Sequence, residues 1–249
     1  NEKAALEAAA GAAYAGQRTM VTMKQVGLNV ASDPLMSLAY IGVKGGMVIV
    51  SADDPGPISS QTEQDTRHFA SFCKLPVFDP SSPEEAYEMI GDAFAYSERY
   101  ATPVLFRPTT RVCHGCAAIA VDTQRQAHKP EGFVKDDKWV IFPRLSYENH
   151  KKIEARAPVL AHDFSSYPRN LLIPGQSCKK GVAAGGVSWA YLQEALKADA
   201  PDVKLLKVST PYPFPEELAL EFLQGLDEVL VAEELDPVIE RELVYLCGK

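Results

Sequence analysis

At 249 residues, 46% apolar and 23% charged, the chain has the composition of a soluble globular protein and is long enough for two hydrophobic cores. A net charge of -8 and a pI near 5.2 argue against nucleic acid or an anionic membrane surface as partner, and no apolar run approaches the roughly 18 residues that span a bilayer. Five dispersed cysteines are an odd number rather than a secreted disulfide framework, and point to a reduced, cytoplasmic compartment.

The first residues set Glu2 and Glu7 against one Lys3, unlike a signal peptide, and without an initiator Met the sequence reads as a piece of something longer. Asn1 to Tyr14 is predicted as an Ala-rich helix that Asn1 can cap. A strand is expected at Thr19 to Met23, a short helix opened by an Asp-Pro pair at Asp33 to Tyr40, and a buried strand at Gly45 to Ala52. Ser82-Pro83-Glu84-Glu85 opens the clearest helix, to Tyr96, and Pro103 to Phe106 is another buried strand. The rhythm to about Arg111 is that of an α/β unit.

Between Cys113 and Lys180 periodicity fades, and the segment reads as a linker with local structure, in which Trp139 to Phe142 pack on a neighbour. Regularity then returns. Strands are expected at Val182 to Ala184, Val203 to Val208 and Glu228 to Ala232, with helices at Val187 to Lys197, Pro215 to Leu223 and from Pro237 onward. That is β-α-β-α-β-α, a second small parallel sheet. The fold class is therefore α/β with two parallel-sheet units, over 1–112 and 181–249, joined by 113–180.

Few residues carry chemistry by pattern alone. Glu2, at the mouth of a helix, reads as a dipole or capping residue, or as a carboxylate facing a cofactor nitrogen. Gly11 in mid-helix costs about 1 kcal/mol against Ala, which the close approach of another element would offset. The polar stretch DDPGPISSQTEQDTR (Asp53 to Arg67) follows a strand end, where α/β sheets place binding loops. Within it Arg67 can grip a carboxylate in two-pronged fashion, or pair with Glu63 or Asp65. Cys113-His114-Gly115-Cys116 lacks a second pair at metal spacing, GVAAGG (Gly181 to Gly186) lacks the nucleotide-loop spacing, and the five histidines form no metal pair.

Several strings go further. NEKAALEAAAGAAYAG, VTMKQVGLNVASDP, VIVSADDPGPISSQTEQDTR and TPVLFRPTTR resemble the pyrimidine-binding domain of indolepyruvate ferredoxin oxidoreductase alpha subunits, which are thiamine-diphosphate-dependent 2-oxoacid:ferredoxin oxidoreductases. Gly185 to Ala198, LKVSTPYPFP and VLVAEELDP resemble the transketolase-C-terminal-like domain that follows, whereas the linker matches poorly.

The resemblance implies that Glu2 hydrogen-bonds N1′ of the thiamine aminopyrimidine, favouring the imino tautomer that takes the C2 proton. It implies that Gly27, in the loop after the first strand, brings its backbone close to the pyrimidine, and, by looser alignment, that Arg67 binds the substrate carboxylate. The activity implied is oxidative decarboxylation of an arylpyruvate to an acyl-CoA, with electrons passing to ferredoxin. The implied partners are a beta subunit, a second alpha subunit, ferredoxin, the 2-oxoacid and coenzyme A. The diphosphate and Mg motif GDG…N and the CxxCxxCxxxCP pattern of [4Fe-4S] clusters do not occur in these 249 residues, so the fragment is expected to be inactive alone. Another 2-oxoacid (pyruvate, 2-oxoglutarate or branched-chain) or a non-catalytic docking subunit are the alternatives.

Overall fold

In the computed structural model, which describes residues 1–121, 128–175, 179–196 and 202–248, two four-stranded sheets form. The first half contains α1 (Glu2–Tyr14), β1 (Thr19–Lys24), α2 (Gln25–Ile41), β2 (Met47–Ala52), α3 (Thr66–Cys73), β3 (Val77–Phe78), α4 (Pro83–Tyr100), β4 (Val104–Phe106) and the short α5 (Thr110–Cys113). A single 3-10 turn (Asp137–Trp139) and α6 (Pro143–Ser165) follow. The second half contains β5 (Leu171–Ile173), β6 (Lys180–Gly185), α7 (Gly186–Leu196), β7 (Lys204–Val208), α8 (Glu216–Leu223), β8 (Glu228–Ala232) and α9 (Val238–Cys247).

The first sheet is all parallel, in the order β1-β2-β4-β3. Strand periodicity sorts its side chains: Met47, Ile49, Leu105 and Val77 join Leu6, Leu28 and Leu35 of α1 and α2 on one face. Val48, Val104, Phe106 and Phe78 join Met89 of α4 on the other. A run buried on both faces needs helices on both sides, and MVIVSA has them.

α2 differs from expectation. It begins at Gln25, eight residues before the Asp-Pro pair, and carries Pro34 inside it. A proline there forfeits one helical hydrogen bond. The stripe Leu28, Ala31, Leu35, Leu38 and Ala39, all buried at helical spacing, outweighs that loss. Gly11 faces open space, with no atom of another element near the position of a Cβ, so the close approach expected there does not occur among the described residues.

The segment read as a linker holds α6, a 23-residue helix. It buries only Ile153, Leu160 and Phe164, a stripe too sparse to stand out among its charges. Leu160 and Phe164 nonetheless complete the second face of the first sheet, where the Phe164 ring meets Phe78 edge-on at 5.6 Å. Of the apolar residues expected to dock nearby, Trp139 stacks on Tyr14 at 4.6 Å, while Val140, Ile141 and Phe142 stay exposed.

The second sheet has the order β5-β7-β6-β8. β6, β7 and β8 are parallel as expected, but β5 is an antiparallel edge strand, so this sheet is mixed. β5 has only three residues and two of them are exposed, which leaves little apolar signal to read. α7 follows the expected helix to Leu196; Lys197, its expected last residue, lies outside the described residues.

Backbone bonds run from sheet to sheet. Val77 N donates to Tyr212 O at 2.7 Å and Asp79 N to Ser209 O at 2.8 Å. Lys207, buried on β7, pairs with the buried Glu85 of α4.

Candidate active site

β1 passes into α2 without a loop: Lys24 ends the strand and Gln25 opens the helix. Gly27 therefore sits in the first turn of α2, not in a loop as its sequence context implied. It touches Glu2. A Cβ on Gly27 would lie 2.7 Å from Glu2 Cγ and 3.1 Å from Oε1, so only glycine lets α2 come this close. Asn1 caps α1 through Oδ1, which accepts from Ala4 N at 3.1 Å, and so fixes where Glu2 projects. Glu2 itself is half-buried, and among the described residues its carboxylate has no hydrogen-bond or ion-pair partner.

The loop from Asp53 to Asp65 packs on the start of α2. Asp54 organises it: its Oδ2 accepts from Ser59 N and Ser60 N at 2.8 Å and from Ile58 N at 3.2 Å. Thr110 Oγ1 donates to Asp54 Oδ1 at 2.6 Å, and this bond, with the amides, holds the Asp54 carboxyl far below the usual carboxylate range. Three side chains of the KQVGLN segment stitch α2 to the loop. Lys24 Nζ donates to Ser59 O and Oγ at 3.0 and 2.8 Å, Gln25 Nε2 to Thr62 O at 3.0 Å, and Asn29 Nδ2 to Gln64 Oε1 at 3.1 Å. Two segments about 35 residues apart in sequence thus make one surface beside Glu2.

Arg67 lies behind that surface, 2% exposed. Its Nε and Nη2 donate to Asp65, its Nη1 to Glu233 Oε2 at 2.8 Å, and its Nη2 also to the carbonyls of Glu234 and Asp236 at 2.8 and 2.9 Å. Glu233 in turn accepts from Ile239 N and Glu240 N, the opening amides of α9. Of the two partners considered from sequence, Asp65 is the one used. Burial works to raise the Asp65 carboxyl, but the Arg67 bond and the charges of Arg107 and Arg67 bring it below its ordinary value. A substrate carboxylate would reach Arg67 only by displacing these groups.

Arg107, buried after β4, was not singled out from sequence. Its Nε donates to Asp53 Oδ2 at 2.7 Å and its Nη1 to Asp79 Oδ2 at 3.2 Å. Burial pushes Asp79 up to about 6 even with Arg107 beside it, and pushes Asp53 up as well.

The weaker motifs resolve differently. Gly186, last of GVAAGG, has φ of +50°, and a Cβ there would sit 3.0 Å from Asp79 Oδ1. The turn at the start of α7 therefore passes close against a carboxylate of the protein itself. Cys113 and Cys116 are free thiols, with burial pushing Cys113 up; Cys178 lies outside the described residues. Asp65, His68 and Asp236 bring three potential metal donors together. Asp65 is already committed to Arg67 and to Asp236 N, so the trio is an ion-pair cluster.

What the arrangement offers chemically is the Glu2 carboxylate, unpaired among the described residues and pinned against the buried Gly27 of α2, next to a polar loop held by a lysine. The family described as pyruvate flavodoxin/ferredoxin oxidoreductase, thiamine diphosphate-binding, matches residues 1–159. The chain is 43% identical to the indolepyruvate oxidoreductase subunit IorA of Methanothermobacter thermautotrophicus, over 100% of this chain and 40% of that protein. It is 42% identical to the same subunit of Pyrococcus abyssi, over 98% and 39%. The chain thus spans about 40% of the length of these curated relatives. In fold it is similar to a 2-oxoglutarate:ferredoxin oxidoreductase from Magnetococcus marinus, with a TM-score of 0.69 at 17% identity, covering 95% of this chain and 49% of that one. A split-gene transketolase gives 0.61 at 14% identity, covering 100% and 68%. The chain belongs to the pyruvate flavodoxin/ferredoxin oxidoreductase family, in its thiamine diphosphate-binding part.

Proposed function

We propose that this chain supplies the aminopyrimidine-binding half of a thiamine diphosphate site in the alpha subunit of an indolepyruvate:ferredoxin oxidoreductase. The observation that carries the reading is Glu2: a half-buried carboxylate with no partner among the described residues, against a glycine that leaves room for nothing larger. A carboxylate that no protein donor holds can accept a hydrogen bond from a ligand nitrogen.

The cofactor supplies the carbon nucleophile that adds to the 2-oxo group. The protein's contribution is to hold a proton at the pyrimidine N1′ through Glu2 and to present the α2 backbone at Gly27 to the ring. On this reading residues 1–112 are the pyrimidine-binding domain, and 181–249 are the transketolase-C-terminal-like domain, joined by 113–180. The intact enzyme would decarboxylate indolepyruvate, transfer the acyl group to coenzyme A and pass two electrons singly to ferredoxin through [4Fe-4S] clusters carried, like the Mg and diphosphate anchor, on other parts of the assembly. The beta subunit, a second alpha subunit and ferredoxin are the proposed partners. The relatives' printed names, at 37–43% identity, support the arylpyruvate over other 2-oxoacids.

The test is Glu2→Gln in the full-length enzyme. Indolepyruvate-dependent viologen reduction is expected to fall at least about 100-fold, the range for loss of a positioned acid–base group, while assembly is retained. Near-normal turnover would overturn the role of Glu2 and the reading with it.

A further inference from the structure

A 2-oxoacid brings a carboxylate to a site that already holds one, that of Glu2, on a chain of net charge -8. A cation of this chain would offset the repulsion between the two. The structure narrows the choice among the basic residues of this edge. Arg107 is closed on Asp53 and Asp79, Arg67 on Asp65 and Glu233, and both are buried. Arg111 faces Glu234 at 3.7 Å and Lys3 pairs with Asp33 at 2.8 Å. Lys24 alone among them has no acidic partner in the described residues. Its ammonium is exposed and rests on Ser59 O and Oγ, which orient it without neutralising it.

Its position is equally specific. Lys24 is the last residue of β1, three before Gly27, and so is tied by the first turn of α2 to the glycine that touches Glu2. Met23, the residue before it, lines the same contact: its Cβ would be 3.1 Å from a Cβ on Gly27. On the other side Lys24 holds the loop at Ser59, next to Ile58, an apolar side chain that is 65% exposed. An oriented ammonium beside an open apolar side chain suits a ligand with a carboxylate at one end and an apolar group at the other.

We propose that Lys24 is the residue of this chain that receives the carboxylate of the 2-oxoacid, with Arg67 serving as a clamp between the two sheets. The assignment rests on the reading of Glu2 given above and adds the substrate contact to it. Lys24 acts as a point charge held by Ser59, and arginine at the same position would preserve the charge but not the fit to that hydroxyl.

The experiment uses the full-length enzyme with its partner subunit, in the variants Lys24→Gln, Lys24→Arg, Ser59→Ala and Glu2→Gln. Lys24→Gln is expected to raise the KM for indolepyruvate tenfold or more and to leave thiamine diphosphate affinity within twofold, with Lys24→Arg recovering part of the loss. Indole-3-propionate and its neutral amide serve as competitive probes. Lys24→Gln should weaken inhibition by the acid about tenfold and leave that by the amide unchanged, a split that mere loosening of the loop does not produce. Ser59→Ala, which removes only the hydroxyl contact, should show a smaller effect of the same sign. An unchanged KM in Lys24→Gln, or equal weakening of acid and amide, overturns the assignment. If Glu2→Gln is inactive in that same series, the cofactor reading stands and only Lys24 falls; if Glu2→Gln is active, the cofactor reading falls, and the acid-against-amide split still decides Lys24.

Discussion

Asp79 shows how far a single carboxylate can be pushed here. It is fully buried, faces Arg107, and burial lifts it from its ordinary 3.8 to about 6. Between those values the native state holds a proton that the unfolded chain has released, so the contribution of Asp79 to stability falls as pH rises through about 4 to 6. Asp79→Asn removes that opposing contribution. Thermal unfolding followed from pH 4 to 6 should therefore show Tm climbing more steeply with pH in the variant than in the wild type; parallel profiles would disprove the linkage. The residue scale is also where sequence reading reached least far. Glu2 and Gly27 were legible because a string pattern carried them, and the structure brings them into contact. Lys24 was not, because its isolation is a property of its neighbours: it becomes visible only once Arg67 and Arg107 are seen to be closed on carboxylates distant in sequence.

For the elements, legibility followed the density of the apolar pattern. The strands β1, β2, β4, β6, β7 and β8 and the Ser-Pro-Glu-Glu helix were readable because their periodicity is continuous, whereas β3 and β5, of two and three residues, were not. α2 was half-read, since Asp33-Pro34 imitates a helix start although the buried stripe begins at Leu28. α6 was missed because three buried residues in 23 give almost no period. Its packing is nonetheless real, and Leu160 is the test. That side chain is 1% exposed in the cluster of Phe78, Met89 and Phe164. Leu160→Ala should cost about 2–5 kcal/mol, seen as a Tm lowered by at least about 4 °C at this chain length. A shift under one degree would return the segment to the status of a linker lying on the surface.

Taken as a whole, the molecule is held across its two sheets by polar groups as much as by apolar ones. Arg67 joins α3 to the loop before α9, Lys207 joins β7 to α4, and two backbone bonds run beside them. Breaking a buried pair by removing one partner costs about 3–5 kcal/mol because the other charge is left desolvated and alone. Arg67→Met takes the guanidinium from Asp65 and Glu233 in that way, leaving them, among the described residues, only backbone amides and the more distant Arg107. It should lower Tm of the full-length protein by several degrees, while the surviving native fraction keeps its KM for the 2-oxoacid; a raised KM with unchanged Tm would return Arg67 to the substrate. Of this joint only the pairing of Arg67 with Asp65 was legible beforehand. The α/β rhythm announces two sheets, but the residues that fasten them lie in loops, where pairing follows from the final geometry rather than from spacing.

The turn at Gly186 gives that joint an unusual character. Asp79 lies so close against it that a Cβ at position 186 would sit 3.0 Å from Oδ1, and the glycine's φ of +50° is one that L side chains rarely adopt. From the other side Arg107 holds the same carboxylate, with Nη1 donating to Oδ2 at 3.2 Å. A larger residue at 186 would therefore have to push a buried carboxylate against the arginine that compensates it, so the seam between the two sheets has room at this point for a bare backbone and nothing more.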